Sequence, residues 1–203
     1  MKIALIGATG NVGTRILAEA LKRGHQVTGI ARDPAKLQAR DGLQLVQGDA
    51  HAPDTLTPTL AGHDVVVSAV LFRASDPALL IEAVRRSGVK RYLVVGGAGS
   101  LEIAPGKLLI DSPEFPALYR EEAGKGKVFL DRLRTVDDLD WTMLSPSALL
   151  TAGERTGVFR LGGDSLLTSA EGKSWITYED YAVALVDEIE KPAHRRQRFT
   201  VGY

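Results

Sequence analysis

The segment Gly7-Ala8-Thr9-Gly10-Asn11-Val12-Gly13 sets three glycines at intervals of three, directly after the apolar run Lys2 to Ile6. It also opens a stretch in which Val12, Ile16, Leu17, Ala20 and Leu21 recur at helical spacing. Glycines so placed permit a tight strand-to-helix turn, let backbone N–H groups approach a pyrophosphate, and allow close helix–strand packing; the helix N-terminus favours the negative charge. The motif predicts dinucleotide binding by Gly7, Thr9, Gly10, Asn11, Val12 and Gly13. About 20 residues further on, an acid would read the ribose hydroxyls of NAD and an arginine the 2′-phosphate of NADP. Arg32 stands there, so NADP is preferred over NAD. Its neighbour Asp33 precedes Pro34 and reads better as a helix cap than as an acidic ribose reader. Asp49 and Ala50 are placed to meet the adenine amino group, with an Asx turn after Gly48 as the alternative for Asp49.

Proton-handling groups are sparser. Hydride transfer to a carbonyl needs a proton delivered to oxygen, commonly by a tyrosine with a lysine four residues later. Tyr119 has Ala123 at that spacing, and Lys125 lies two residues beyond it. Ser100 and Ser147 are the hydroxyls expected near a nicotinamide, so Ser100, Ser147 and Tyr119 are the catalytic candidates. His25, His51, His63 and His194 fall in turns or at strand starts, and no spacing suits a metal.

The elements that must position these groups alternate. Strands are expected at Gln26 to Ala31, Leu43 to Val46, Val65 to Leu71, Arg91 to Val95, Trp141 to Leu144, Ser174 to Ile176 and Phe199 to Val201. Helices are expected across Pro77 to Ser87, about Lys127 to Val136, and Tyr178 to Glu190. Such alternation indicates an α/β fold: a Rossmann-type, doubly wound parallel sheet with helices on both faces. In open α/β sheets ligands bind beyond the carboxyl ends of strands. That rule adds Ala69, Val70, Leu71, Gly96, Gly97, Ser145 and Pro146 to the cofactor site, and Phe72, Arg73, Ala98, Gly99, Ser100 and Ser147 to a substrate pocket. Phe72 would present an aromatic face to a flavin and Arg73 a positive clamp. The stretch from Gly96 to Gly126, with three prolines and six glycines, reads as a substrate lid. Trp175 is expected to pack the C-terminal part onto the sheet.

The chain has 203 residues, with 25 basic against 25 acidic and no cysteine. That composition suits one domain over residues 1–203, with 1–150 as the cofactor-binding core and 151–203 as a C-terminal portion closing the pocket. Zero cysteines exclude disulfides, thiolate metal sites and cysteine nucleophiles. A balanced charge argues against nucleic-acid or anionic-membrane partners, and the basic run His194 to Arg198 reads as a solvated turn. No apolar run approaches about 18 residues and no signal-peptide pattern follows Met1, so a cytoplasmic protein, monomer or homodimer, is expected.

Taken in order, GATGNVG, Arg32, Gly48-Asp49-Ala50, VVVSAV and RYLVVGGAGSLE resemble the atypical short-chain dehydrogenase/reductases of the NmrA-like group. The similarity is closer to small bacterial NADH-flavin reductase-like proteins, and it continues through DWTMLSP, GERTG, LGGD, YEDYAVALVDEIE and RQRFTVGY. It covers essentially the whole chain. The resemblance implies an NAD(P)-binding Rossmann domain. By similarity to flavin and biliverdin reductase B it also implies NAD(P)H-dependent reduction of a flavin or related ring, with FMN or FAD as substrate rather than prosthetic group. Relatives that sense the dinucleotide without turnover supply one alternative reading, and an epimerase- or dehydratase-like enzyme on a small carbonyl or sugar supplies another. Where biliverdin reductase B-like proteins carry a histidine after the proline of the sixth strand, this chain has Ser147.

Overall fold

A computed structural model describes residues 1–203. In chain order its elements are β1 (Lys2–Ile6), α1 (Asn11–Lys22), β2 (Gln26–Ala31), β3 (Leu43–Gln47), α2 (Pro53–Leu60), β4 (Val65–Ser68), α3 (Pro77–Ser87), β5 (Arg91–Val95) and the short β6 (Glu102–Ala104) and β7 (Lys107–Leu108). There follow α4 (Ala117–Leu133), β8 (Asp140–Pro146), β9 (Leu149–Thr151), β10 (Arg160–Gly162), β11 (Trp175–Thr177), α5 (Tyr178–Glu190) and β12 (Gln197–Gly202). Single 3-10 turns cover Pro34–Lys36, Phe72–Ala74 and Leu109–Asp111.

Eight strands form one sheet in the order β10-β12-β8-β5-β4-β1-β2-β3. Each neighbouring pair is parallel except β10 with β12. The chain winds outward in both directions from β1, which lies between β2 and β4, and this is the switch point where an open α/β sheet forms a ligand crevice. The apolar runs explain why the central strands sit there: all of β4 is buried, with Val65 and Val67 toward one face and Val66 toward the other. On the first face α1 and α5 contribute Ile16, Leu17, Tyr181, Leu185 and Ile189. On the second, α2, α3 and α4 contribute Leu56, Leu60, Leu80, Val84, Phe129 and Leu133. Each such side chain buried in full contributes about 1.5–3 kcal/mol, which fixes the three-layer order.

Several expectations need correction. The strand predicted over Val65 to Leu71 ends at Ser68, and residues 69–71 leave the sheet as a loop. The helix expected from about Lys127 begins at Ala117. Gly124 and Gly126 obscure its pattern in the sequence, yet small residues let α4 press onto the strand ends. A Cβ on Gly126 would meet the Phe72 ring at 2.8 Å, and one on Gly99 would meet Ala123 Cβ at 2.6 Å. The rest of the expected lid is fastened rather than free. Glu102 N–H donates to the Asp164 carbonyl and Leu166 N–H to that of Glu102, both at 2.9 Å, while Ile110 N–H reaches the Gly99 carbonyl at 2.9 Å. Asp33 caps nothing: its side chain accepts no cap hydrogen bond and lies 3.9 Å from Lys36.

The C-terminal residues build the sheet as well as closing it, since β12 lies between β8 and β10 and α5 covers one face. The GERTG strap is tied to both helices of that face. Arg155 forms a bidentate pair with Glu19 of α1, at 2.7 Å for each bond, and not with Glu154. Gly153 N–H donates to Glu179 and Gly157 N–H to Asp180. Trp175 packs against Tyr203 with ring centroids 5.4 Å apart and the planes tilted by 57°, and Trp141 Nε1 donates to the Val136 carbonyl. The expected solvated turn holds for Arg195 and Arg196, which are exposed, whereas Arg198 is buried on β12, with Nε donating to Asp164 at 2.6 Å.

Candidate dinucleotide site

The turn after β1 is shaped by what a side chain would strike. Gly7 has φ +86°, and a Cβ on it would lie 2.4 Å from the Ala69 carbonyl oxygen. A Cβ on Gly13 would lie 2.1 Å from the Gly7 carbonyl oxygen, so the first turn of α1 rests directly on the strand end. Gly10 is the N-cap of α1 with no side-chain cap, and the first turn carries no acid. Its leading N–H groups therefore lack both an intrahelical acceptor and a capping oxygen, and the positive end of the helix dipole is uncancelled. This is the arrangement that accepts a phosphate anion.

An open cleft runs from that turn across β2 and β3. It gathers Gly7, Thr9, Gly10, Arg32, Asp49, Ala50, Ala69, Val70 and Leu71, all expected from the sequence. Asn11, Val12 and Gly13 belong to the first turn of α1 at its edge. Gly96, Gly97, Ser145 and Pro146 lie instead at or just beyond the carboxyl ends of β5 and β8, two and three strands from β1 along the same edge. Ile6, Ile30, Ala31, Gly48 and Ala74 also line the cleft without having been expected there. Arg32 is exposed and makes no side-chain ion pair; its carbonyl accepts from Gln47 Nε2 at 3.1 Å. Asp49 makes the Asx turn, Oδ1 accepting from His51 N–H at 2.9 Å, while remaining in the cleft wall.

The expected catalytic and substrate residues do not converge. Ser147 is wholly buried, and its Oγ donates to the Val201 carbonyl at 3.1 Å. Ser100 is buried against Arg198, whose Nη2 donates to the Ser100 carbonyl. Both serines hold the C-terminal strand to the sheet. Tyr119 stands 58% exposed on the first turn of α4, while Lys125 lies 3.6 Å from Glu121 on the same helix, so the two form no dyad. Phe72 turns inward, its ring 5.5 Å from that of Phe129 and only 7% of the residue exposed; no flat face is offered to a ligand. Gly99 is buried under Ala123, which leaves Ala98 and the exposed Arg73 at the surface of the expected pocket. Tyr181 is a core residue, with its hydroxyl donating to the Leu144 carbonyl at 2.6 Å. One hydroxyl, Ser145 Oγ at the end of β8, is buried without a hydrogen-bond partner.

Two residues at the site carry no sequence signal. Glu122 of α4 accepts the N–H groups of Phe72 and Arg73 at 2.7 and 3.0 Å, and His51 Nε2 donates to the Ala74 carbonyl at 2.9 Å. Neither belongs to a motif, and the contacts span 50 and 23 residues.

A family model described as NAD(P)H-binding matches residues 7–192. The uncharacterized protein YwnB of Bacillus subtilis is 41% identical over 99% of this chain and 98% of its own. Among solved structures, a Bacteroides thetaiotaomicron protein provisionally named an epimerase has a TM-score of 0.94 and 40% identity, covering 100% of this chain and 96% of that one. A Streptococcus pneumoniae protein provisionally named an NADH-flavin reductase has a TM-score of 0.86 and 38% identity, covering 100% and 99%.

Proposed function

Since the chain belongs to the NAD(P)H-binding family, we propose that it is an oxidoreductase that uses NADPH to reduce a planar acceptor such as FMN or FAD by direct hydride transfer. The observation that carries this reading is the disposition of its hydroxyls. Ser147 Oγ donates to the Val201 carbonyl on β12, Ser100 Oγ accepts from Arg198 Nη1 at 3.4 Å, and Tyr119 is exposed without a lysine partner. Carbonyl reduction or sugar epimerisation would need a proton donor or acceptor at oxygen, and the remaining unpartnered hydroxyl, Ser145 Oγ, has no hydrogen-bonded base to relay the proton. A flavin takes hydride at a ring nitrogen, so orientation of the two rings is the chief demand on the protein.

The cradle suits the cofactor. Backbone N–H groups at the start of α1 would hold the pyrophosphate, Arg32 would meet the 2′-phosphate, and Asp49 with Ala50 would border the adenine. Ala69 to Leu71 line the cleft beyond the end of β4, and Gly96 and Gly97 lie just beyond the end of the neighbouring β5. When bound, the reduced nicotinamide supplies the hydride. The surface at the half-buried Ala98 and the exposed Arg73 would admit the acceptor. A dinucleotide sensor would need the segment after β5 to reshape, whereas its hydrogen bonds to Asp164 and Gly99 favour a fixed pocket wall. No helix is long and apolar enough to cross a membrane, and a cytoplasmic place fits a diffusible acceptor. Purified protein should oxidise NADPH anaerobically in a saturable, flavin-dependent way; tight NADPH binding without turnover would refute the reductase reading.

A further inference from the structure

The wall of the cleft from Ala69 to Ala74 contains no regular strand, yet it must hold its shape against a ligand. Its outer part, the 3-10 turn Phe72–Ala74, is fastened from two sides. Both Glu122 carboxylate oxygens accept backbone N–H groups there, from Phe72 at 2.7 Å and from Arg73 at 3.0 Å. From across the cleft, His51 Nε2 donates to the Ala74 carbonyl at 2.9 Å. The Phe72 ring is wedged on Gly126, one turn along α4 from Glu122, and against Phe129. The wall's inner part is equally close-set, since the Ala69 carbonyl is what bars a side chain at Gly7.

We propose that Glu122 is a positioning residue for the dinucleotide: its carboxylate fixes the wall residues Ala69, Val70, Leu71 and Ala74 at the spacing the ligand requires, with His51 bracing the same turn. This inference rests on the cleft being the NADPH site. A carboxylate is suited to the task because it presents two acceptors to two adjacent N–H groups and needs no donor of its own. Glutamine in its place keeps one acceptor and turns an amide N–H₂ against the second N–H. The turn is then free to swing outward, and the ligand must spend binding energy to restore it.

The test measures NADPH dissociation constants by calorimetry for the wild-type protein, E122Q, H51A and the double variant, well below their melting temperatures so that all are folded. Because a hydrogen bond to a charged acceptor is stronger than one to a neutral amide, E122Q should weaken NADPH about tenfold or more. Because both residues brace one turn, the double variant should lose less than the product of the single losses. A purely structural role would lower the melting temperature while leaving affinity unchanged, and that result would overturn the proposal. If E122Q fails to fold, amide exchange on the wild-type protein decides. Slow exchange at Phe72 and Arg73, slowed further by NADPH, supports the clamp, and fast exchange with and without ligand refutes it. Wild-type protein that binds no NADPH refutes the dinucleotide reading itself, whereas normal wild-type binding with an unaffected E122Q refutes only the role of Glu122.

Discussion

At Gly13 a single methyl group decides whether the site exists. Its nearest atom would be the Gly7 carbonyl oxygen at 2.1 Å, which no side-chain rotation relieves. Gly13→Ala should therefore destabilise the fold by about 1–3 kcal/mol, the range for overpacking, and abolish NADPH binding as read by calorimetry. Arg32 acts through charge. Arg32→Glu should weaken NADPH by at least about tenfold more than NADH, because the exchanged charge meets the 2′-phosphate only in the former. Equal losses would contradict the NADP preference. Tyr119→Phe should leave turnover within about twofold, well short of the hundredfold or more expected on losing a general acid. Glycines and Arg32 were legible because backbone geometry and formal charge are properties of residue type at a fixed offset. Ser100, Ser147 and Phe72 were misplaced for the opposite reason. Whether a hydroxyl faces ligand or a carbonyl such as that of Val201 depends on β12, some 54 residues away, and no local pattern reports it.

Among the elements, α4 was the least legible and is among the most consequential. Its glycines lower helix propensity by about 1 kcal/mol each relative to alanine, so a helix judged by period starts too late. Tertiary contact overrides that local preference: Gly126 is where the Phe72 ring sits, 2.8 Å from any added Cβ. Gly126→Ala should lower the melting temperature despite better propensity, with the ring displaced. Where a strap joins elements, charge does the work. Glu19 on α1 is held at a pKa of about 2, chiefly by the Arg155 guanidinium, with Arg23 adding to it against the opposing effect of burial. A depressed carboxylate stabilises the fold above its unfolded value, near 4.5, and the contribution fades as pH falls from there toward about 2. Arg155→Met should therefore cost on the order of 2 kcal/mol at neutral pH, and denaturation at successive pH values should show that deficit shrinking below about pH 4. A deficit independent of pH would refute the pairing. The α5 helix and the parallel strands were legible to within a few residues because burial on one or both faces imprints a period on the sequence.

Across the whole molecule, the doubly wound order follows from alternating apolar strands and amphipathic helices, since right-handed crossovers leave few arrangements. The closures that complete it did not show in the sequence: Glu102 to Asp164, Arg198 to Ser100, Glu122 to the turn after β4. Each joins distant segments through single polar contacts, which carry no periodicity. Ligand binding should draw on that completed shape. NADPH at a hundred times its dissociation constant should add about 2.7 kcal/mol, raising the melting temperature by about 5–10 °C for a chain of this size. The most direct test of the central claim is the rate of NADPH oxidation by the purified protein, measured anaerobically with FMN, with FAD and with no acceptor. The expected result is saturable oxidation that requires the flavin, is faster with NADPH than with NADH, and survives Tyr119→Phe. Oxidation no faster with flavin and protein together than with flavin alone would contradict it.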